Sequence, residues 1–165
     1  MIWYPDYYCQ DVTKITPEFL NKHKIKGLIL DVDNTLIDID RKILEGAKQW
    51  HEEIVKAGFK TIILSNTNKI DKVESVAKVL NIEYISFARK PSRSGFTKAK
   101  EKLNLPAENI AVVGDQIFTD VIGANRSNMF AILVKPISKK DLLITKWKRP
   151  MEEWIIKKYL KSLEK

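Results

Sequence analysis

The sequence has a single cysteine, Cys9, and two histidines, His23 and His51. One thiol excludes an intrachain disulfide framework and a Cys-cluster zinc site, and two imidazoles exclude a His-rich metal centre. No segment approaches the roughly 18 uninterrupted apolar residues of a membrane span. Six glycines and six prolines among 165 residues leave no Gly/Ser linker, and there is no low-complexity tract or internal repeat. The start of the chain carries Asp6 and no basic stretch, so it does not read as a signal peptide. These absences predict a reducing, cytoplasmic setting and a protein that does not cross a membrane.

What is present is enough for one folded domain. The length suits a single unit, and 44% apolar with 30% charged residues is the composition of a globular chain with a real core. The net charge is +8, which favours anionic partners. Its distribution is uneven. From Lys135 to Lys165, ten basic residues oppose four acidic ones, so +6 of the +8 lies in the tail.

The apolar pattern alternates between two periods. Continuous apolar runs at 27–32, 60–65, 84–88, 110–114 and 129–134 read as buried strands. Helical spacing marks 45–57, 70–80, 96–103 and 118–128, and Thr16 with Pro17 opens a short helix before them. Strict strand–helix alternation with continuously apolar strands predicts an α/β fold: a Rossmann-like, three-layer α/β/α arrangement around a mostly parallel five-stranded sheet. Strand order is not readable from the pattern.

Ligands bind beyond the carboxyl ends of strands in such a sheet. Here those ends run into Asp31-Val32-Asp33-Asn34-Thr35, Ser65-Asn66, Lys90-Pro91 and Gly114-Asp115, with Asp120 shortly after. Carboxylates gathered on one rim repel one another and call for a cation. Oxygen donors without His or Cys select a hard ion such as Mg²⁺. A lysine and small polar side chains suit phosphoryl oxygens. Two aspartates separated by one residue can divide nucleophilic attack from proton transfer.

In their order and spacing these four segments resemble the motifs of the haloacid dehalogenase-like phosphohydrolase superfamily. Asp31-Val32-Asp33-Asn34-Thr35 is similar to its first motif, Ser65-Asn66 to its second, Lys90-Pro91 to its third and Gly114-Asp115 with Asp120 to its fourth. The likeness spans roughly residues 25–135 and extends to the YqeG-type subfamily, related to mitochondrial phosphatidylglycerophosphate phosphatases. Pro5-Asp6, Ile15-Thr16-Pro17, Gln116, Thr119 and Gly123-Ala124-Asn125-Arg126 carry that finer resemblance.

The resemblance implies roles. Asp31 is the expected nucleophile, forming an aspartyl-phosphate, and Asp33 the acid and then the base. Ser65 and Asn66 would hold the phosphoryl group and Lys90 would neutralise charge. Mg²⁺ would sit on Asp31, Asp115 and the Asp33 carbonyl. Asp120 would orient Lys90 or the metal shell, and Arg126 would pair with a carboxylate or take a second anionic group of the substrate. It divides the chain into an N-terminal aromatic segment with a short helix (1–24), a phosphatase core (25–136) and a basic amphipathic tail (137–165). The gaps between motifs hold one helix and one strand each, so no cap domain is expected and a bulky or surface-bound substrate could enter.

The implied activity is Mg²⁺-dependent hydrolysis of a phosphomonoester, with phosphatidylglycerophosphate as the favoured substrate. The partner would be an anionic phospholipid, met by peripheral contact at the inner face of a membrane, or in the mitochondrial matrix of a eukaryote. Two alternatives remain. One is the same chemistry on a soluble or nucleic-acid-end phosphate, though the catalytic region has no nucleic-acid recognition motif. The other is a phospho-accepting or non-catalytic interaction module. The tail is open between two readings as well. Trp147, Met151, Trp154, Ile155, Tyr159 and Leu163 recur at helical intervals, suiting a helix docked on the core or one lying in a membrane interface. His51, between Trp50 and two glutamates, reads as a surface residue, and Cys9 as packed among aromatics.

Overall fold

A computed structural model describes residues 1–138 and 148–164. Trp147 and the tail lysines Lys139, Lys140, Lys146 and Lys165 lie outside the described residues. Six strands form one wholly parallel sheet: β1 (Tyr7–Cys9), β2 (Gly27–Leu30), β3 (Lys60–Leu64), β4 (Tyr84–Ile85), β5 (Ile110–Gly114) and β6 (Phe130–Val134), in the order β1-β6-β5-β2-β3-β4. The helices are α1 (Pro17–Lys22), α2 (Ala47–Lys56), α3 (Ile70–Leu80), α4 (Arg93–Leu103), α5 (Ile122–Arg126) and α6 (Lys148–Leu163).

Alternate strand residues feed two cores. Leu28, Leu30, Ala111 and Val113 pack with α1, α2 and α3, whereas Ile29, Ile110 and Val112 pack with α4, α5 and Ile155 of α6. This period of two is the signature of a sheet covered on both faces. From β2 the chain winds outward through β3 and β4, then crosses back to β5 on the other side of β2. The winding therefore reverses between β2 and β5, and the crevice at their carboxyl ends is where such sheets bind ligands.

The expected α/β architecture is present, with one strand more than expected. Tyr7–Cys9 pairs with β6, and Asp6 anchors it: its N–H donates to the Ala131 carbonyl at 2.8 Å and its carboxylate accepts from the Ala131 N–H at 2.7 Å. A three-residue strand is too short to show a period, and its partner is over a hundred residues away. At α1 the expected cap is made, Thr16 Oγ1 accepting from the Phe19 N–H at 3.1 Å. The helix expected at 118–128 is split into a π-turn at Ile117–Val121 and α5.

His51 is a correction. It is 2% exposed, and its Nε2 lies 2.8 Å from Thr61 Oγ1. With Ala47, Trp50 and Ile54 it completes an i, i+3, i+4, i+7 face turned to the core, and Glu52 and Glu53 sit on the other side. Burial lowers its imidazole pKa. Cys9 is half-buried as expected, and burial pushes its thiol up to about 11.

The tail helix α6 docks on the sheet through Ile155 and Tyr159, and Tyr159 meets Tyr4 edge-on at 5.6 Å between ring centroids. Met151 and Trp154 stay exposed, with Lys158 Nζ 3.9 Å from the Trp154 ring centre. The apolar residues thus divide between a packed face and an outward one.

Candidate active site

Four strand ends deliver the polar residues to one crevice. β2 ends at Asp31, whose N–H donates to the Val113 carbonyl of β5 at 2.9 Å. Asp31 is 9% exposed, Lys90 7%, Asp115 3% and Asp120 1%. Lys90 Nζ donates to Asp31 Oδ1 at 2.8 Å and to Asp120 Oδ1 at 2.7 Å, so one ammonium bridges two carboxylates from opposite sides of the winding reversal. Thr35, fully buried, donates from Oγ1 to the other Asp31 oxygen, Oδ2, at 3.5 Å.

Asp120 comes within reach because of two local features. The π-turn brings its carboxylate back beneath the end of β5, where Oδ2 accepts from the Gln116 N–H at 3.2 Å. Gly114 leaves room for it: a Cβ there would lie 2.2 Å from the Asp120 carboxyl carbon. Both Asp120 oxygens are thus engaged within the protein.

Ser65 is buried, and its Oγ accepts from the Thr67 N–H at 3.2 Å. It closes a local turn rather than capping α3, which begins only at Ile70. Asn66 forms a two-way latch on the Lys90 backbone: Oδ1 accepts from the Lys90 N–H at 2.7 Å and Nδ2 donates to the Lys90 carbonyl at 3.1 Å. Asp33 stands at the mouth, its side chain 42% exposed and paired with Lys72 of α3 at 2.7 Å. Arg126 is not brought to the site. It is exposed at the last position of α5, which runs back from the crevice, beside Thr97, Lys100 and Met129.

Asp115 completes the crevice. Oδ2 is 2.6 Å from Arg149 Nη2, whereas Oδ1 is buried with no hydrogen-bond partner among the described residues. Ligand oxygens of Asp31, Asp115 and Asp120 all lie within 4.8 Å of one another. Burial, reinforced by the charge of Asp120, raises the Asp31 carboxyl above its ordinary pKa despite Lys90. Burial also pushes Asp115 well up, with Asp31 adding and Arg149 opposing. Burial alone would lower the Lys90 pKa, but Asp120 and Asp31 outweigh it and keep the ammonium charged. The crevice is therefore short of positive charge, and among the described residues the donors it offers a metal are hard oxygens. An orphaned carboxylate oxygen inside it fits a divalent cation of the Mg²⁺ type.

Four residues at the site escape sequence reasoning: Thr35, Lys72, Arg149 and Glu152. Thr35 closes the first segment, and nothing in its position there marks it as a partner of Asp31. Lys72 is one of many helix-surface lysines, and nothing local marks it. Arg149 and Glu152 do stand at i, i+3, a spacing that puts them on one helix face, but only the docking of α6 shows what that face meets.

The haloacid dehalogenase-like hydrolase family profile matches residues 39–128, which hold Ser65, Lys90, Asp115 and Asp120; Asp31 and Asp33 precede the matched stretch. A Bacillus subtilis (strain 168) protein named as a probable phosphatase, YqeG, is 38% identical over 153 residues, covering 92% of this chain and 88% of that one. Phosphatidylglycerophosphate phosphatase 1, chloroplastic/mitochondrial, of Arabidopsis thaliana is 26% identical over 168 residues; the match takes in 96% of this chain but only 48% of the plant protein. Among solved structures, an uncharacterized protein from Listeria monocytogenes serotype 4b shares the fold, with a TM-score of 0.57 and 21% identity over 72% of this chain and 86% of that one. With the strand ends, the buried aspartates and the bridging lysine already in place, these likenesses give the lineage: the chain belongs to the haloacid dehalogenase-like hydrolase family.

Proposed function

We propose that the protein is a Mg²⁺-dependent phosphomonoester hydrolase working through an aspartyl-phosphate on Asp31, and that its substrate is phosphatidylglycerophosphate. The observation that carries the chemistry is the Lys90 bridge between Asp31 and Asp120 beside the unpartnered Asp115 Oδ1. Asp31, Asp115 and the Asp33 carbonyl would hold the ion. Asp120, with both oxygens already engaged, would act through Lys90. Bound there, the cation supplies charge neutralisation for the phosphoryl oxygens and for the crowded carboxylates.

The protein's own residues then divide the work. Asp31 attacks phosphorus; its oxygen–phosphorus bond forms as the ester bond to the leaving oxygen breaks, and Asp33 gives that oxygen a proton. Asp33 next takes a proton from water, whose oxygen displaces Asp31 and releases inorganic phosphate. Lys90 stays charged throughout and offsets the negative charge of nucleophile and phosphoryl group. Ser65 and Asn66 line the phosphoryl position, Asn66 also fixing Lys90 from behind.

The lipid is supported by the likeness to the plant phosphatase, by the absence of a cap over the crevice among the described residues, and by the outward face of α6. Met151, Trp154, Lys158 and Lys161 follow one another at three- and four-residue steps on that face, a basic aromatic surface suited to an anionic bilayer. No described helix is long and apolar enough to cross a membrane.

The test is phosphate release from phosphatidylglycerophosphate in mixed micelles with Mg²⁺. Asp31→Asn serves as control, with a soluble sugar phosphate and a 3′-phosphorylated oligonucleotide as competitors. Asp31-dependent turnover of the lipid alone is the expected result. Turnover of a soluble or nucleic-acid phosphate alone would keep the mechanism and discard the lipid.

A further inference from the structure

The tail helix holds one end of the acidic crevice. Arg149 reaches Asp115 with both terminal nitrogens: Nη2 donates to Oδ2 at 2.6 Å and Nη1 to the main-chain carbonyl at 3.1 Å. One helical turn on, Glu152 accepts from Arg149 Nη1 at 3.1 Å. The other Glu152 oxygen accepts from the Ile117 N–H at 2.9 Å and the Phe118 N–H at 3.4 Å. A single turn of α6 thus grips the chain at Asp115 itself and again at the start of the π-turn that delivers Asp120.

The consequence for Asp115 is geometric. A carboxylate held at Oδ2 by a charged, planar donor cannot turn freely about its last bond. Its other oxygen, Oδ1, is consequently held in place, buried and without a partner among the described residues, on a carboxylate that belongs to the Asp31–Asp115–Asp120 group. Outer-shell partners that fix the direction of a ligand are a general feature of metal sites.

We propose that Arg149 is a positioning residue for the divalent cation, aiming Asp115 Oδ1 into the site, with Glu152 holding Arg149 in register. This rests on the reading of the crevice as a metal-dependent phosphatase site. It makes the tail helix part of the active centre. It also opposes the other role open to a guanidinium here, that of a competitor filling the place of the ion.

The two roles differ in sign. Full-length wild type, Arg149→Gln, Arg149→Lys and Glu152→Gln would be titrated with Mg²⁺ by calorimetry and with Mn²⁺ by loss of the free-ion paramagnetic signal. Metal-free thermal unfolding would establish that each variant is folded. Arg149→Gln should weaken both ions about 10- to 100-fold, the usual effect of losing an outer-shell partner. Arg149→Lys, which keeps the charge and loses the fork, should fall between, and it carries the test alone if the glutamine variant does not fold. Glu152→Gln should weaken binding less. The Mg²⁺ activation constant of phosphatase turnover should rise by the same factors. Unchanged affinity in folded Arg149 variants overturns the positioning role, and tighter binding identifies a competitor. A wild type that binds neither ion overturns the metal-dependent reading itself, and the inference with it.

Discussion

Asn66 and Lys90 are joined backbone to side chain in both directions, at 2.7 and 3.1 Å, while the Lys90 ammonium reaches 2.8 Å to Asp31 and 2.7 Å to Asp120. The end of β3 therefore sets where the lysine's backbone lies, and the ends of β2 and β5 set where its charge lies. A side chain 3% exposed and held at both ends has little freedom to leave the nucleophile.

Removing the ammonium should cost activity directly. Lys90→Ala leaves Asp31 and Asp120 facing each other with no cation between them. We expect kcat to fall by about 10²–10³-fold, the range for losing one preorganised electrostatic group. Steady-state phosphate release at saturating Mg²⁺ is the measurement, and activity within threefold of wild type would contradict the role.

Asn66 is expected to act partly through that lysine. Asn66→Ala removes both latch bonds, and Asn66→Asp keeps the acceptor but sets a carboxylate against the Lys90 carbonyl. Both should lower kcat, the aspartate variant more. Residues in one network are not additive. The double variant Asn66→Ala/Lys90→Ala should accordingly be little worse than Lys90→Ala alone, and fully multiplicative losses would show that Asn66 works independently.

Gly114→Ala tests the close approach beneath β5. The added Cβ would meet the Asp120 carboxyl at 2.2 Å, so Asp120 or the strand end must shift. Overpacking of this kind costs about 1–3 kcal/mol. For a chain of this size that is a fall in melting temperature on the order of 5 °C. Turnover should drop as well, because the displaced group is the one that anchors Lys90. Unchanged melting and activity would place Asp120 elsewhere in solution.

His51 gives a pH dependence with a definite sign. Burial lowers its folded-state pKa below the ordinary 6.5, so the unfolded chain takes up the proton first. The group's contribution to stability is therefore whole above about pH 6.5 and drains away as pH falls through that value towards the folded pKa. His51→Gln, which can still bond Thr61 Oγ1, should remove this part of the slope. Denaturant midpoints of both proteins at pH 7.5 and 5.5 would show it. Equal slopes would mean that His51 takes up its proton alike in the folded and unfolded chain, so that burial does not lower its pKa.

Much of the molecule is legible along the chain. Strands at 27–30, 60–64 and 110–114 announce themselves because buried parallel strands are continuously apolar, and α3 begins and ends where its 3.6-residue spacing does. The residues of the crevice are equally visible, since a parallel sheet places every strand's carboxyl end on one rim. Asp31, Ser65, Lys90 and Asp115 need only that rule to be grouped. The α/β class and the acidic, lysine-bearing site are thus properties of the sequence by itself.

Other features depend on contacts between distant segments, which local pattern does not encode. β1 exists because Asp6 and Tyr7–Cys9 find β6. The winding reversal between β2 and β5 follows from a strand order that no period reveals. Asp120 reaches Lys90 because a π-turn and a glycine permit it, and Arg126, plausible by position, is carried away by the return of α5. The largest surprise is α6. Composition shows only a basic amphipathic tail, whereas docking through Ile155 and Tyr159 turns Arg149 and Glu152 inward, onto Asp115 and the π-turn. Helical spacing determines which residues share a face; only tertiary packing decides what that face touches.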